Sequence, residues 1–519
     1  MFIKTFNLRR VSLSTCLLVY LSTCLLLVLG VAGCAGTTTP SEMPSGPIIT
    51  LEPCQLAAPG SSTRLPAKCG TLTVYEDRAA LSGRQIVLQI AVLPALSRDP
   101  APDPLFFITG GPGGAATQDY LPIRSAFQRI NQDRDIVLVD QRGTGQSHPL
   151  DCPPSEDPLS SSDDEVLEQE LTHCLNQLDA DLSLYTTSIA MDDLDQVRAA
   201  LGYDKINLYG VSYGTRAALT YLRQHEDHVR TVILDGVLPQ DEPLGISIAS
   251  DAQRALDLIF ERCATDSACV RAFPDLRQDF KSLLESLDRE PVAVTLSHPT
   301  TGEPTEVSFT REQFAQTMRL LSYSQETVAL LPLLIHTTQT TGDFNRLAAQ
   351  HLLVSQRLEG NISEGMSHSV VCAEDVPFLY EGEEFVGNGD AEKQAYLGEW
   401  YRELEKVCAL WPVTEVSADF KAPVTSDVPV LLLSGEADPV TPPSNGDQAA
   451  RTLSNSLHLV APGQGHGIIL RGCVPRIATE FIESGTVQEL DTACISDIRP
   501  MPFFVNFAGP SPEANEVKP

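Results

Sequence analysis

The chain has 519 residues, 42% of them hydrophobic and 20% charged, a composition that supports a sizeable folded core and excludes a mostly disordered chain. Its formal charge of −32 excludes a nucleic-acid partner, because phosphate binding needs clustered Lys and Arg that this sequence does not show. The length exceeds that of a usual single domain, so a core carrying one large insertion is expected.

Residues 1–33 read as a secretory signal. Lys4, Arg9 and Arg10 precede an apolar stretch over 11–31, and Val31-Ala32-Gly33-Cys34 resembles a lipobox, with Cys34 as the lipid-bearing first residue of the mature chain. An uncleaved anchor is the alternative. Either way the body is expected outside the cytoplasm, with a bacterial cell membrane as a partner through the lipid. Residues 34–53, rich in Thr, Ser, Pro and Gly, read as a flexible tether.

Setting Cys16, Cys24 and Cys34 aside leaves an even number of cysteines, as an oxidising compartment favours. Pairing of sequence neighbours is expected, because short loops close at the least entropic cost: Cys54 with Cys69, Cys152 with Cys174, Cys263 with Cys269, Cys372 with Cys408 and Cys473 with Cys494. A zinc site is the rival reading, but no Cys-x-x-Cys occurs and the histidines are scattered, so no metal and no cofactor is expected.

Along the chain, residues 71–75 and 85–92 alternate with period two, as antiparallel edge strands do. Short apolar runs at 105–108, 136–139, 206–209, 232–234, 430–433 and 457–460 predict buried strands, and 192–201 predicts a helix feeding the 206 strand. This alternation implies an α/β fold with a mostly parallel central sheet. Residues 54–239 and 426–497 would form its two parts, with a mainly helical cap over 240–425 inserted before the acid-bearing strand; an independent second domain is the alternative. Amphipathic stretches at 252–262 and 313–334 mark the cap, and 498–519 reads as a tail.

Gly210-Val211-Ser212-Tyr213-Gly214 follows a strand and precedes a helix-like run at 215–223, the setting in which Gly-x-Ser-x-Gly presents a nucleophilic serine. A sharp turn strains the serine backbone, glycines remove the collisions, and the Tyr213 amide points toward a developing oxyanion. The second oxyanion donor is expected from Gly110-Gly111-Pro112-Gly113-Gly114, with Gly111 chosen. For the base, only His458 and His466 follow the acid loop, and His458 falls inside a predicted strand, which leaves His466. For the acid, Asp438 directly after the 430 strand is preferred to Glu436 and Asp447.

Together with these motifs, Asp140-Gln141-Arg142-Gly143-Thr144-Gly145-Gln146-Ser147 and Leu234-Asp235-Gly236-Val237 resemble the proline iminopeptidase and tripeptidyl aminopeptidase family of α/β-hydrolase serine peptidases. Iminopeptidases have His before Gly-Gly-Pro-Gly where this chain has Thr109, which points to the tripeptidyl branch. The resemblance implies an aminopeptidase acting on peptide substrates with a free N-terminus through Ser212, His466 and Asp438. The substrate ammonium needs a carboxylate, and Glu374 and Asp375, beside Cys372, are the candidates. Arg142 is read as a brace for its own loop, with a substrate carboxylate as the lesser alternative. An esterase using the same triad, and a non-catalytic binding lipoprotein on the same scaffold, are the rival functions.

Overall fold

The computed structural model describes residues 49–58, 62–153, 164–382 and 384–511. The signal segment, Cys34 and most of the tether lie outside the described residues. Among the described residues, no helix is long and apolar enough to cross a membrane.

Nine strands form one sheet, in the order β1-β2-β3-β5-β4-β6-β7-β12-β13. The first three, β1 (Glu52–Leu56), β2 (Leu65–Tyr75) and β3 (Gln85–Leu93), are antiparallel. β3 also pairs antiparallel with β5 (Ile136–Val139). From there the sheet is parallel through β4 (Leu105–Ile108), β6 (Ile206–Val211), β7 (Val229–Asp235), β12 (Val430–Gly435) and β13 (Ser456–Ala461). The alternation of exposed and buried positions in β2 and β3 against all-buried β4, β5 and β12 is what an edge facing water and a centre covered on both faces require. Two apolar clusters lie on the sheet, one around Phe106, Val137, Leu208 and Leu432 and the other around Phe107, Leu138, Tyr209 and Leu433, so successive residues of a strand feed opposite faces.

The parallel neighbours β7 and β12 are separated in sequence by a long, mainly helical segment. Its helices include Ile248–Thr265, Leu276–Arg289, Arg311–Leu321, Leu331–Thr341 and Glu364–Glu374, interrupted by a hairpin of β8 (Val292–Ser297) and β9 (Pro304–Phe309) and a small pair, β10 (Tyr380–Glu381) with β11 (Glu384–Phe385). Most of this segment packs on its own core of Phe260, Phe280, Phe309 and Phe314. Met366 and Val370 of its helix Glu364–Glu374 instead join the sheet's core.

Three expectations change. The tether is shorter than 34–53, because β1 begins at Glu52 and pairs Glu52 with Cys69, next to the Cys54–Cys69 disulfide. The tail is not free from 498: Phe503 joins the core of the inserted segment, β14 (Phe504–Asn506) pairs with β15 (Gly509–Pro510), and Arg262 lies 3.8 Å over the Phe503 ring. The amphipathic stretch 313–334 breaks after Leu321, where Ser324 caps a new short helix through its side chain. All five expected disulfides are present.

Candidate active site

Ser212 stands between β6 and the helix Tyr213–Gln224 with φ 56° and ψ −128°, a conformation that L-residues seldom hold. It persists because both flanks are locked: Ser212 N–H donates to the Asp235 carbonyl at 2.9 Å, and its own carbonyl accepts from Thr215 N–H at 2.8 Å and Thr215 Oγ1 at 2.6 Å. The flanking glycines are steric necessities. A Cβ on Gly210 would collide with the Gly214 carbonyl, and one on Gly214 with the Ile108 and Thr109 carbonyls at the end of β4.

The Gly110–Gly114 loop lies against this turn, for a Cβ on Gly110 would sit 3.0 Å from Ser212 Cβ. Gly111, the chosen donor, follows with φ 116°, and Tyr213 is the first helical residue, whose amide has no partner within its own helix. Asp119 receives the Thr109 hydroxyl at 2.6 Å under the loop, and burial pushes its carboxyl up to about 6. From the inserted segment, Ser363 N–H donates to Gly113 O at 2.9 Å.

Asp438 sits on the loop after β12 with its carboxylate fully buried. Oδ1 accepts Val440 N–H at 3.0 Å and Thr441 N–H at 2.9 Å; Oδ2 accepts Thr441 Oγ1 at 2.8 Å and faces His466 Nδ1 at 2.8 Å. Burial opposes its ionisation, but the His466 charge and these hydrogen bonds outweigh burial and hold the carboxyl below its ordinary value. Burial likewise opposes the imidazolium of His466, and the Asp438 charge and hydrogen bond raise its pKa above the usual value in spite of it. With Asp438 ionised, Nδ1 carries the proton and Nε2 is the basic nitrogen.

The rejected alternatives have other partners. Glu436 accepts Gly463 N–H at 2.7 Å. Asp447 and His458 pair with each other at 2.8 Å.

Several groups that position His466 escaped the sequence reading. Asp235, at the end of β7, accepts Ile468 N–H at 2.8 Å, Ile469 N–H at 3.0 Å and the Tyr209 hydroxyl at 2.9 Å, which ties down the chain just after His466. The space above Gly236 is filled by the imidazole: a Cβ there would lie 3.0 Å from Cε1. Tyr323, in the break between two helices of the inserted segment, accepts His466 N–H at 2.8 Å through its carbonyl and sets its ring edge-on to the imidazole, centroids 5.0 Å apart. The Leu-Asp-Gly-Val motif contains Asp235, but in the sequence it serves only the family resemblance and gives the aspartate no role; no periodic signal could have marked Tyr323.

Asp375 is a correction. It was expected to offer a carboxylate to a ligand, but it is enclosed and already pairs with Arg216 Nη1 at 2.6 Å and Lys421 Nζ at 2.7 Å, and accepts Leu244 N–H at 2.9 Å. Its neighbour Glu374 is also enclosed, but among the described residues it accepts from uncharged donors, Thr187 N–H at 2.5 Å and Thr187 Oγ1 at 2.7 Å. The same Thr187 hydroxyl lies 2.7 Å from Tyr213 Oη. Burial raises the Glu374 pKa above the ordinary glutamate range. Arg142 braces its loop: it is fully buried, bonded to Asp193 at 2.7 and 3.1 Å and to the carbonyls of Glu76 and Leu184.

Two family models match the chain: an alpha/beta hydrolase fold over residues 103–263 and a TAP-like protein over residues 394–494. Serine protease Hip1 of Mycobacterium tuberculosis is 24% identical over 94% of this chain and 99% of its own length. A tripeptidyl aminopeptidase of Streptomyces lividans is 32% identical over 33% of this chain and 36% of its own. A carboxylesterase B of M. tuberculosis is 26% identical over 94% of this chain and 99% of its own length.

Proposed function

The chain belongs to the TAP-like α/β-hydrolases and is a serine-peptidase-like hydrolase, and from that premise we propose that it is an aminopeptidase that cleaves peptide bonds near a free N-terminus. The observation that carries this reading is the strained Ser212 turn combined with a buried Asp438–His466 pair whose Nε2 is the basic nitrogen.

In the proposed reaction His466 Nε2 takes the Ser212 Oγ proton as Oγ attacks the scissile carbonyl. The amides of Gly111 and Tyr213 bind the oxyanion; each such donor is worth about 10²–10³ in kcat. His466 returns the proton to the departing amine, an ester on Ser212 results, and a water activated by the same imidazole releases the acid. Asp438 orients the imidazole and stabilises its cation.

Glu374 is the carboxylate we assign to the substrate ammonium. Among the described residues no lysine or arginine forms an ion pair with it, and a buried carboxylate without a cation is stabilised when one arrives. We further propose an extracytoplasmic chain held to the membrane by a lipid on Cys34; the disulfides support an oxidising compartment, and Cys34→Ala is expected to move the protein from the membrane to the soluble fraction.

The test of the reaction uses a peptide ladder with free or acetylated N-termini, analysed by mass. Free peptides should shorten and acetylated ones should not; equal cleavage of both refutes the aminopeptidase. The likeness to a carboxylesterase keeps an esterase as the second reading, supported if simple acyl esters turn over while no peptide does. In either case a fluorophosphonate should label the wild type and not Ser212→Ala.

A further inference from the structure

Among the described residues, buried arginines are matched with carboxylates in every instance but one. Arg134 pairs with Asp103, Arg142 with Asp193, Arg198 with Asp195 and Arg216 with Asp375. Arg319, on the helix Arg311–Leu321, is 7% exposed and has no ion-pair partner among the described residues. Its Nη2 donates to Tyr323 Oη at 2.9 Å, and its guanidinium lies 5.5 Å from the ring centroids of both Tyr323 and Trp400. Nε is buried with no hydrogen-bond partner. A second polar group is in the same condition: Tyr396 is 3% exposed, and its hydroxyl also has no partner.

A guanidinium without its countercharge is costly to bury, and two rings and one phenol replace only part of its hydration. An unpaired cation kept in an acidic chain implies an anion that comes and goes. Its position says which part of a substrate that anion belongs to. Tyr323, the residue Arg319 bonds, accepts the His466 amide proton and packs edge-on to the imidazole. The Arg319 charge is felt at His466 and at Tyr396 alike. Since His466 delivers its proton to the departing amine, groups flanking it meet the leaving fragment.

We propose that Arg319, with the hydroxyls of Tyr323 and Tyr396, forms a carboxylate-binding subsite beside His466 that selects substrates whose leaving fragment carries a free carboxylate. Its place on the leaving side rests on the aminopeptidase reading; the anion site itself does not. Its chemistry fits a planar carboxylate, which the guanidinium meets through parallel N–H donors while the phenols supply further ones. With Glu374 as the ammonium partner, Glu374 and Arg319 would meet the two charged ends of a short zwitterionic peptide.

The experiment is a calorimetric titration of the full-length Ser212→Ala protein, which cannot turn over, with alanyl-alanine and with alanyl-alanine amide. The acid should bind about tenfold to a hundredfold more tightly than the amide, as charge-assisted hydrogen bonds imply. Adding Arg319→Gln should bring the ratio close to one, Arg319→Lys should restore part of it, and Tyr396→Phe, which keeps the ring, should reduce it severalfold. Equal binding of acid and amide in the parent, or a ratio that survives Arg319→Gln, overturns the proposal; a merely structural arginine would not move that ratio. Failure of the peptide ladder with the binding ratio intact would refute the aminopeptidase and leave the anion site standing.

Discussion

The C-terminal part of the sheet holds two aspartate–histidine pairs with the same Nδ1–carboxylate distance, 2.8 Å. His458 even completes a serine relay, since its Nε2 lies 2.9 Å from Ser434 Oγ. Yet Ser434 is a fully buried residue still inside β12, next to its last residue, whereas Ser212 is a partly open residue in a strained turn just past β6. The carboxylates differ too: the Asp438 side chain is wholly buried with four hydrogen bonds to three residues, and that of Asp447 is 69% exposed. Access to the hydroxyl, strain at its backbone and burial of the acid distinguish the set we propose as catalytic from the His458 set, which fastens the helix Pro443–Ala450 to β12 and β13.

The sharpest way to break this comparison is to neutralise both acids. Asp438→Asn should lower kcat by about 10⁴, the size of effect seen when the acid no longer holds the base in its working tautomer, while Asp447→Asn should stay within about twofold of wild type. Comparable losses in steady-state assays would mean that the two relays are not distinct. Next comes stability. His458→Ala removes the partner of the buried Ser434 hydroxyl and should lower unfolding free energy by about 1–3 kcal/mol in a denaturant titration, with the folded fraction still labelled by fluorophosphonate.

The smallest effect is in the pH profile. The base works only when neutral, so kcat/KM falls on acidification through the His466 pKa. The Asp438 charge stabilises the imidazolium and lifts that pKa; Asp438→Asn should therefore move the acid limb of the residual activity to lower pH, and Asp447→Asn should leave it in place.

Much of the sheet was legible because burial on both faces demands short, continuous apolar runs, and β4 and β5 follow those runs residue for residue. The nucleophile turn was legible for a steric reason, as only glycine fits at 210 and 214. Tyr323 and Arg319 were not. Both belong to a stretch whose amphipathic pattern reads as one continuous helix, and their meaning comes from a loop, 463–467, that is far away in sequence. Asp375 was misjudged for a related reason: its proximity to Cys372 is local, whereas its partners Arg216 and Lys421 arrive from other elements.

By itself the sequence pointed to every strand of the sheet but β1, to the place of the nucleophile turn and to the cysteine pairs, because each of these depends on local sterics, local periodicity or short loop closure. Only the tertiary structure decided what the passed-over His458 and Asp447 do, and which buried charges find a partner. Those outcomes depend on how strands distant in the chain stack side by side, and a hydrogen bond between loops carries no trace in the residues that flank it.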